Sequence, residues 1–332
     1  MPPDLPPARG PDRQRPREIE ELLRELDARA FLSAHEAQRF LDERLRRYNA
    51  RPQPELGGLS PLQVARLVDG DWATTGALRL DRALPFDALA GSDYLHNARG
   101  FLAALGEAGS VKATTAGNLP RAFVAELLAR LRWPAGVVDE VHRFNRVVNE
   151  EDVFPLHVLR HVLVLAGLAR RHRGFRPTTA GRELLAEPRA GELFARLFVA
   201  FFRKLHLAYL DALPPHTGLQ RTIAFSLLML GREAGSWVTP EHLAPRVWLP
   251  YAADPPTALE EKFGDMAPFR TGSRLLEPLV GFGLLESRER PAANAWDRPY
   301  EVRKTALFDR FLRFEVDADP EGGRPTRAAF AP

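Results

Sequence analysis

Apolar positions recur every three to four residues along most of this chain, and short extended stretches interrupt that spacing at a few places. From Arg17, the positions Ile19, Leu22, Leu23 and Leu26 predict a first helix. Ser33, with Glu36 three residues on, has the sequence of a capping box. A second helix carrying Phe40, Leu41 and Leu45 follows to about Tyr48. Its outer face holds Arg39, Arg44, Arg46 and Arg47 and reads as a solvated surface. RPQPELGGLSP, Arg51–Pro61, is a turn-rich connector; Ser60 caps and Pro61 takes the first helical position of LQVARLV.

The tetrapeptide TTAG occurs twice, in VKATTAGNLPRAF (111–123) and in FRPTTAGRELL (175–185). Each copy lies between a short extended stretch and a helical run. Thr115 and Thr179 are therefore expected to bond open N–H groups of the new helix, with Gly117 and Gly181 supplying tight geometry. Neither copy is a phosphate loop, because GxxxxGK[ST] and GxGxxG are both absent. TTAG reads as a joint between strand and helix.

Around these joints the elements fall in a definite order. Helices are expected at about Asn97–Leu105, Leu119–Arg132 and Val153–Ala166, a strand at Val111–Thr114, and a hairpin turning at Arg173–Gly174. The C-terminal third repeats the order: a helix at Leu219–Ala234, a short strand SWVT, a helix from Pro240, and an amphipathic helix ending in GLLE before two strands. Helix, strand, helix, helix, hairpin, with the segments AGLARR and FGLLE, resembles the winged-helix superfamily across about Pro85–Glu187 and Leu219–Val316. The stretches PELGGLSP, TTAGNLPRAFV and PLVGFGLLE are also similar to an uncharacterised bacterial group related to plasmid ORF-3-like proteins. Some of that group carry a cysteine-rich SEC-C tail, a segment missing here.

The expected fold is mainly α: tandem winged-helix units joined by a long helix, plus an N-terminal helical segment. The expected boundaries are a disordered tail at 1–16, the helical segment at 17–80, the first unit at 81–190, the connecting helix at 191–218, the second unit at 219–318 and a tail at 319–332. The connecting helix, about Glu192–Leu213, has an apolar stripe wide enough to be buried between the units, with Arg203 and Lys204 at its wetter edge.

Composition narrows the function classes. With 332 residues and 45% apolar content the chain can bury a sizeable core. It has no cysteine, so disulfides, thiolate nucleophiles and Cys-ligated metal are excluded. The N-terminal sequence does not read as a secretory signal, and no apolar run reaches the ~20 residues of a membrane span. A cytoplasmic protein is expected. The net charge is +3, and four of the 46 basic residues are lysine. That is the bias of a GC-rich genome, so only the placement of arginines carries weight.

No constellation has the spacing of an active site, and no enzyme, cofactor or metal is expected. His157 and His161 share one side of a helix in HVLRH, but two imidazoles fall short of the three ligands of catalytic zinc. Glu150, Glu151 and Asp152 in NEED are explained by capping at a helix start.

Those carboxylates also argue against the first unit as a DNA groove reader, despite Arg170, Arg171 and Arg173 on its hairpin, and favour a protein contact there. The second unit opens its candidate recognition helix with Arg270, Thr271, Ser273 and Arg274, able to meet phosphates or guanine edges. Its hairpin adds Arg288, Arg290, Asn294 and Arg298. Pro278 is expected to kink that helix. Trp237, Trp248 and Trp296 read as packing or hairpin anchors. The expected function is a non-enzymatic regulator or accessory factor contacting duplex DNA through the second unit. The alternative is a protein–protein scaffold that uses winged-helix surfaces without nucleic acid.

Overall fold

The computed structural model describes residues 17–172, 174–215, 217–249, 262, 264–291 and 299–317. Both expected tails, 1–16 and 319–332, lie outside the described residues, as do Arg173, Asn294, Trp296 and Arg298. The chain divides into two compact units, Met1–Val64 and Ala65–Pro332; the boundaries expected at 81, 191 and 219 all fall inside the second.

In the first unit, α1 (Arg17–Ala28) and α2 (Ala34–Ala50) are joined by a short turn. Ser33 accepts from the Glu36 N–H as the sequence suggests, but the Glu36 carboxylate takes the Leu32 N–H, one residue earlier than a capping box requires. α2 has no buried residue, and Arg44 pairs with Glu25 across the turn. α3 (Pro61–Asp69) spans the division between the units.

The larger unit opens on β1 (Leu78–Leu80). Two assemblies follow, each a run of helices ending in a β-hairpin. The first is α4 (Asp93–Glu107), α5 (Arg121–Arg130), α6 (Val137–Phe144), α7 (Phe154–Leu165) and a hairpin of β2 (Ala169–Arg171) and β3 (Phe175–Pro177). α8 (Thr179–Glu183) closes it, and α9 (Ala190–Val199) and α10 (Thr217–Arg221) lead onward. The second has α11 (Ile223–Glu233), α12 (Pro240–Val247), a broken helix over 267–281, and a hairpin of β4 (Leu285–Glu289) and β5 (Tyr300–Lys304).

The likeness between the two assemblies extends to individual hydrogen bonds. Val111 exchanges both backbone bonds with Phe175, and Val238 does the same with Val302. After the helix that precedes each hairpin a left-handed glycine, Gly167 or Gly283, turns the chain into the hairpin. The next leucine N–H returns to the helix, Leu168 to Leu163 and Leu284 to Leu279, both at 2.9 Å. A threonine then bridges back: the Thr178 hydroxyl donates to the Gly167 carbonyl, and Thr305 to Gly283, both at 2.8 Å. These bonds satisfy the helix-end carbonyls that would otherwise stand open.

The two TTAG copies differ in what they do. The threonine that acts is one residue before the one expected in each copy: Thr178 caps α8 by accepting from Gly181 N–H, whereas Thr114 accepts from Asn118 N–H and closes a turn. Gly117 has φ +87, so it serves a left-handed turn. Gly181 is helical, and an added Cβ there would strike the Leu168 carbonyl oxygen. Only the second copy is a direct helix start, because α5 begins later, after Pro120.

The expected connecting helix is shorter than its periodicity suggests. α9 widens into a π turn at Ala200–Lys204, and the chain becomes extended at Leu205. The Gln220 side chain takes the freed groups, accepting from Leu207 N–H and donating to the Leu205 carbonyl. Phe194, Phe198, Phe201 and Phe202 are buried and pack with Phe282 and Phe311 in a mutually tilted cluster. Each ring so buried contributes roughly 1.5–3 kcal/mol. Arg203 lies over Trp72 and Lys204 reaches the Leu165 carbonyl, as expected of a wetter edge. A short helix at Ala306–Phe311 leads to β6 (Leu312–Phe314), which pairs antiparallel with β1 and joins the two ends of this unit. No local sequence pattern marks this pairing, and α6 lies outside the helices expected from the sequence.

Candidate functional site

Three of the four residues expected to open a recognition helix are core residues, and the fourth, Ser273, is half-buried. Arg270 is 3% exposed, Thr271 0% and Arg274 1%. The Arg274 Nε and Nη2 grip the two Asp211 carboxylate oxygens at 2.7 Å each, and the Ser273 hydroxyl donates to the same carboxylate. Burial pushes the Asp211 carboxyl up, but bonds from Arg274, Leu213 N–H and Ser273 prevail and hold it below the usual carboxylate range. Thr271 accepts from the Trp248 indole. Arg270, Thr271 and Arg274 therefore point into the fold rather than outward, and Arg274 already holds a counter-ion. The physical reason is a counter-charge 63 residues upstream, which no local pattern announces.

The second hairpin is also internally balanced. Its register sets Arg288 opposite Glu301 and Glu286 opposite Arg303, and both pairs close at 2.7 Å. Arg290 adds a 3.6 Å contact to Glu301, and Trp237 lies beneath Arg288 and Arg303. The helix is interrupted one turn before Pro278. The preceding turn, Gly272–Leu276, widens to π geometry, and the proline occupies the second position of the following helix, Glu277–Gly281.

In the first assembly the acidic stretch divides. Asn149 and Asp152 form a capping box, whereas Glu150 is fully buried. Its carboxylate accepts from Leu119 N–H (2.6 Å), from Arg160 Nε and from His157 Nδ1 (2.7 Å). Burial alone would raise its pKa, yet these donors lower it. The expectation that Glu150 faces solvent, and so repels a polyanion, is overturned. His157 Nε2 accepts from the Tyr209 hydroxyl at 2.5 Å, the tautomer set by Glu150 on the other nitrogen. His161 lies beside Arg160 and is pushed down to about 4 by burial, by Arg160 and by His157. Among the described residues no three or more His, Cys, Asp or Glu are grouped to hold a metal ion. α7 is buried over Leu156–Arg160, so it does not present a groove-reading face.

The first hairpin differs in kind from the second. Arg170 stands directly opposite Arg176 in the β2–β3 register, with Arg171 next to it. All three are exposed, as is Lys112, one residue beyond the Val111–Phe175 bridge. Alternation from that bridge sets Lys112 on the same outer face as Arg170 and Arg176. Among the described residues none of the four makes an ion pair. Like charges directly opposite destabilise a ladder by roughly 0.2–1 kcal/mol. The Arg171 guanidinium rests on Gly117, where an added Cβ would meet Nη1 at 2.8 Å. The run ARRHRGFR (169–176) was the visible signal; its register was not.

This ribbon and the buried network lie in the part of the chain that known proteins share. Residues 90–190 match the family model described as the Y4jL N-terminal domain. The uncharacterised protein y4jL of Sinorhizobium fredii is 34% identical over 83 residues, 25% of this chain. The match covers 38% of that relative's own length. No solved structure matches the chain. Among the described residues no helix is long and apolar enough to cross a membrane.

Proposed function

We propose that this chain is a non-enzymatic accessory factor that binds duplex DNA through the first hairpin, its two assemblies being winged-helix units. The order of elements supports the fold reading, as do the matching bonds of Val111–Phe175 and Val238–Val302, which lay the first extended segment against the last strand of each hairpin. The observation that carries the function is the contrast between the hairpins. The second neutralises each cross-strand arginine with a carboxylate, while the first sets arginine against arginine and leaves Lys112, Arg170, Arg171 and Arg176 to solvent. A phosphate backbone supplies the missing counter-charges and reads no base sequence in doing so. Because α7 and the helix over 267–281 are packed inward, contact is by ribbon rather than by a helix in the major groove.

Fluorescence anisotropy with a labelled mixed-sequence duplex at low salt tests this. Binding should be abolished by R170E/R176E and unaffected by R288E. Absence of binding, or equal loss in both variants, would refute it. A protein-docking role is the second reading, favoured by Phe144, 77% exposed at the end of α6, with Val147 beyond it.

A further inference from the structure

The turn after the buried connecting helix is held in an unusual way. Ala212 has φ +56, a left-handed conformation that a residue with a Cβ rarely adopts. It is fixed between Asp211, whose carboxylate also accepts from Leu213 N–H, and the Arg274 guanidinium, whose Nη2 further donates to the Leu213 and Pro214 carbonyls. Arg274 reaches this point from a π turn, a local irregularity that recurs at functional sites. A full ion pair, a strained turn and a widened helix thus converge on one segment.

That segment walls a cleft of about 200 Å³. Leu207, Ala208, Pro215 and Leu219 line it on the apolar side, and His206, Gln220, Arg221 and Arg274 on the polar side. Arg274 spends Nε and Nη2 on Asp211 and the carbonyls; its Nη1 makes no hydrogen bond among the described residues. Arg221 is exposed and makes no ion pair among the described residues. Asp211 cancels one of the two charges, leaving a net single cation beside an apolar wall.

We propose that this cleft binds a small organic monocarboxylate with an apolar body about the size of a benzene ring. An apolar cavity of about 150 Å³ holds benzene, so 200 Å³ accommodates a ring and a carboxylate. A two-oxygen anion matches this pair of donors, one oxygen taking the remaining Nη1 of Arg274 and the other Arg221. A single net positive charge suits a monoanion rather than a phosphate dianion. The proposal stands independently of any DNA contact.

Isothermal titration of the full-length chain with sodium benzoate, benzyl alcohol and inorganic phosphate, at matched ionic strength, tests it. The expected result is saturable benzoate binding, at least tenfold weaker binding of benzyl alcohol, and no competition by phosphate. R221Q, which disturbs no internal bond, should weaken benzoate at least tenfold while leaving thermal unfolding unchanged. No saturable benzoate binding, equal binding of the alcohol, displacement by phosphate, or an unaltered Kd in R221Q would each overturn it.

Discussion

Replacing Glu150 with glutamine keeps the shape of the side chain and removes its charge. In the native protein one carboxylate oxygen serves His157 and Arg160 and the other serves the Leu119 N–H. A carboxamide turned either way points an NH₂ at one of these donors, leaving about 1–3 kcal/mol of unmet hydrogen bonding. Arg160, itself 5% exposed, also loses its counter-ion. Together the cost should be about 3–5 kcal/mol, the range for breaking a buried pair by removing one partner. In a chain of this size that lowers Tm by on the order of 10 °C. Circular dichroism during heating and urea titration measure both quantities. Adding R160M to E150Q removes the stranded charge and leaves an apolar stem near Phe175, so the double variant should recover at least about 1 kcal/mol relative to the sum of the single costs. The pH dependence adds a second check. Because the folded Glu150 pKa is depressed, its contribution is complete above the unfolded carboxyl pKa of about 4.3 and disappears as pH falls through the folded value. E150Q should flatten that acid limb. A loss below about 1 kcal/mol, or strictly additive costs, would show that Glu150 is not the hub of this core.

Further outcomes follow from the same contacts. Three phosphate-facing cations, Lys112, Arg170 and Arg176, give a log–log salt slope of about −2.7, or roughly 40-fold weaker duplex binding between 50 and 200 mM salt; each of K112Q, R170Q and R176Q should reduce the slope by about 0.9. G117A should cost roughly 1 kcal/mol through its positive φ and weaken duplex binding by displacing Arg171, whereas G181A should destabilise more and leave Arg171 in place, as urea titration and anisotropy together would show. His161 is held neutral, its pKa depressed to about 4, so its stabilising effect is full above the unfolded value near 6.5 and is lost as pH falls towards 4. Urea titrations at pH 7 and 4.5 should show a smaller acid loss for H161Q than for the native protein.

The sequence pattern located α2, α4, α5 and α7 by their apolar stripes and the first hairpin by Gly174 at its turn; the second hairpin was marked by the strands on either side of a polar stretch. It overextended the connecting helix, whose end at Leu205 depends on Gln220, and it passed over α6, whose short amphipathic turns follow Pro134 and Gly136. For the site, sequence density marked the basic run at 169–176 but not which arginines had partners.

What the amino-acid order settled by itself was local: the helical character, the turns at glycine, the caps and the absence of thiol chemistry. Tertiary structure decided what each charge faces. Asp211 took Arg274 inside, Glu150 drew in His157 and Arg160, and strand register set Arg170 against Arg176 while giving Arg288 its Glu301. Helix period and capping act over a few residues, whereas the fate of a charge depends on whichever carboxylate the folded chain carries to within about 3 Å of it.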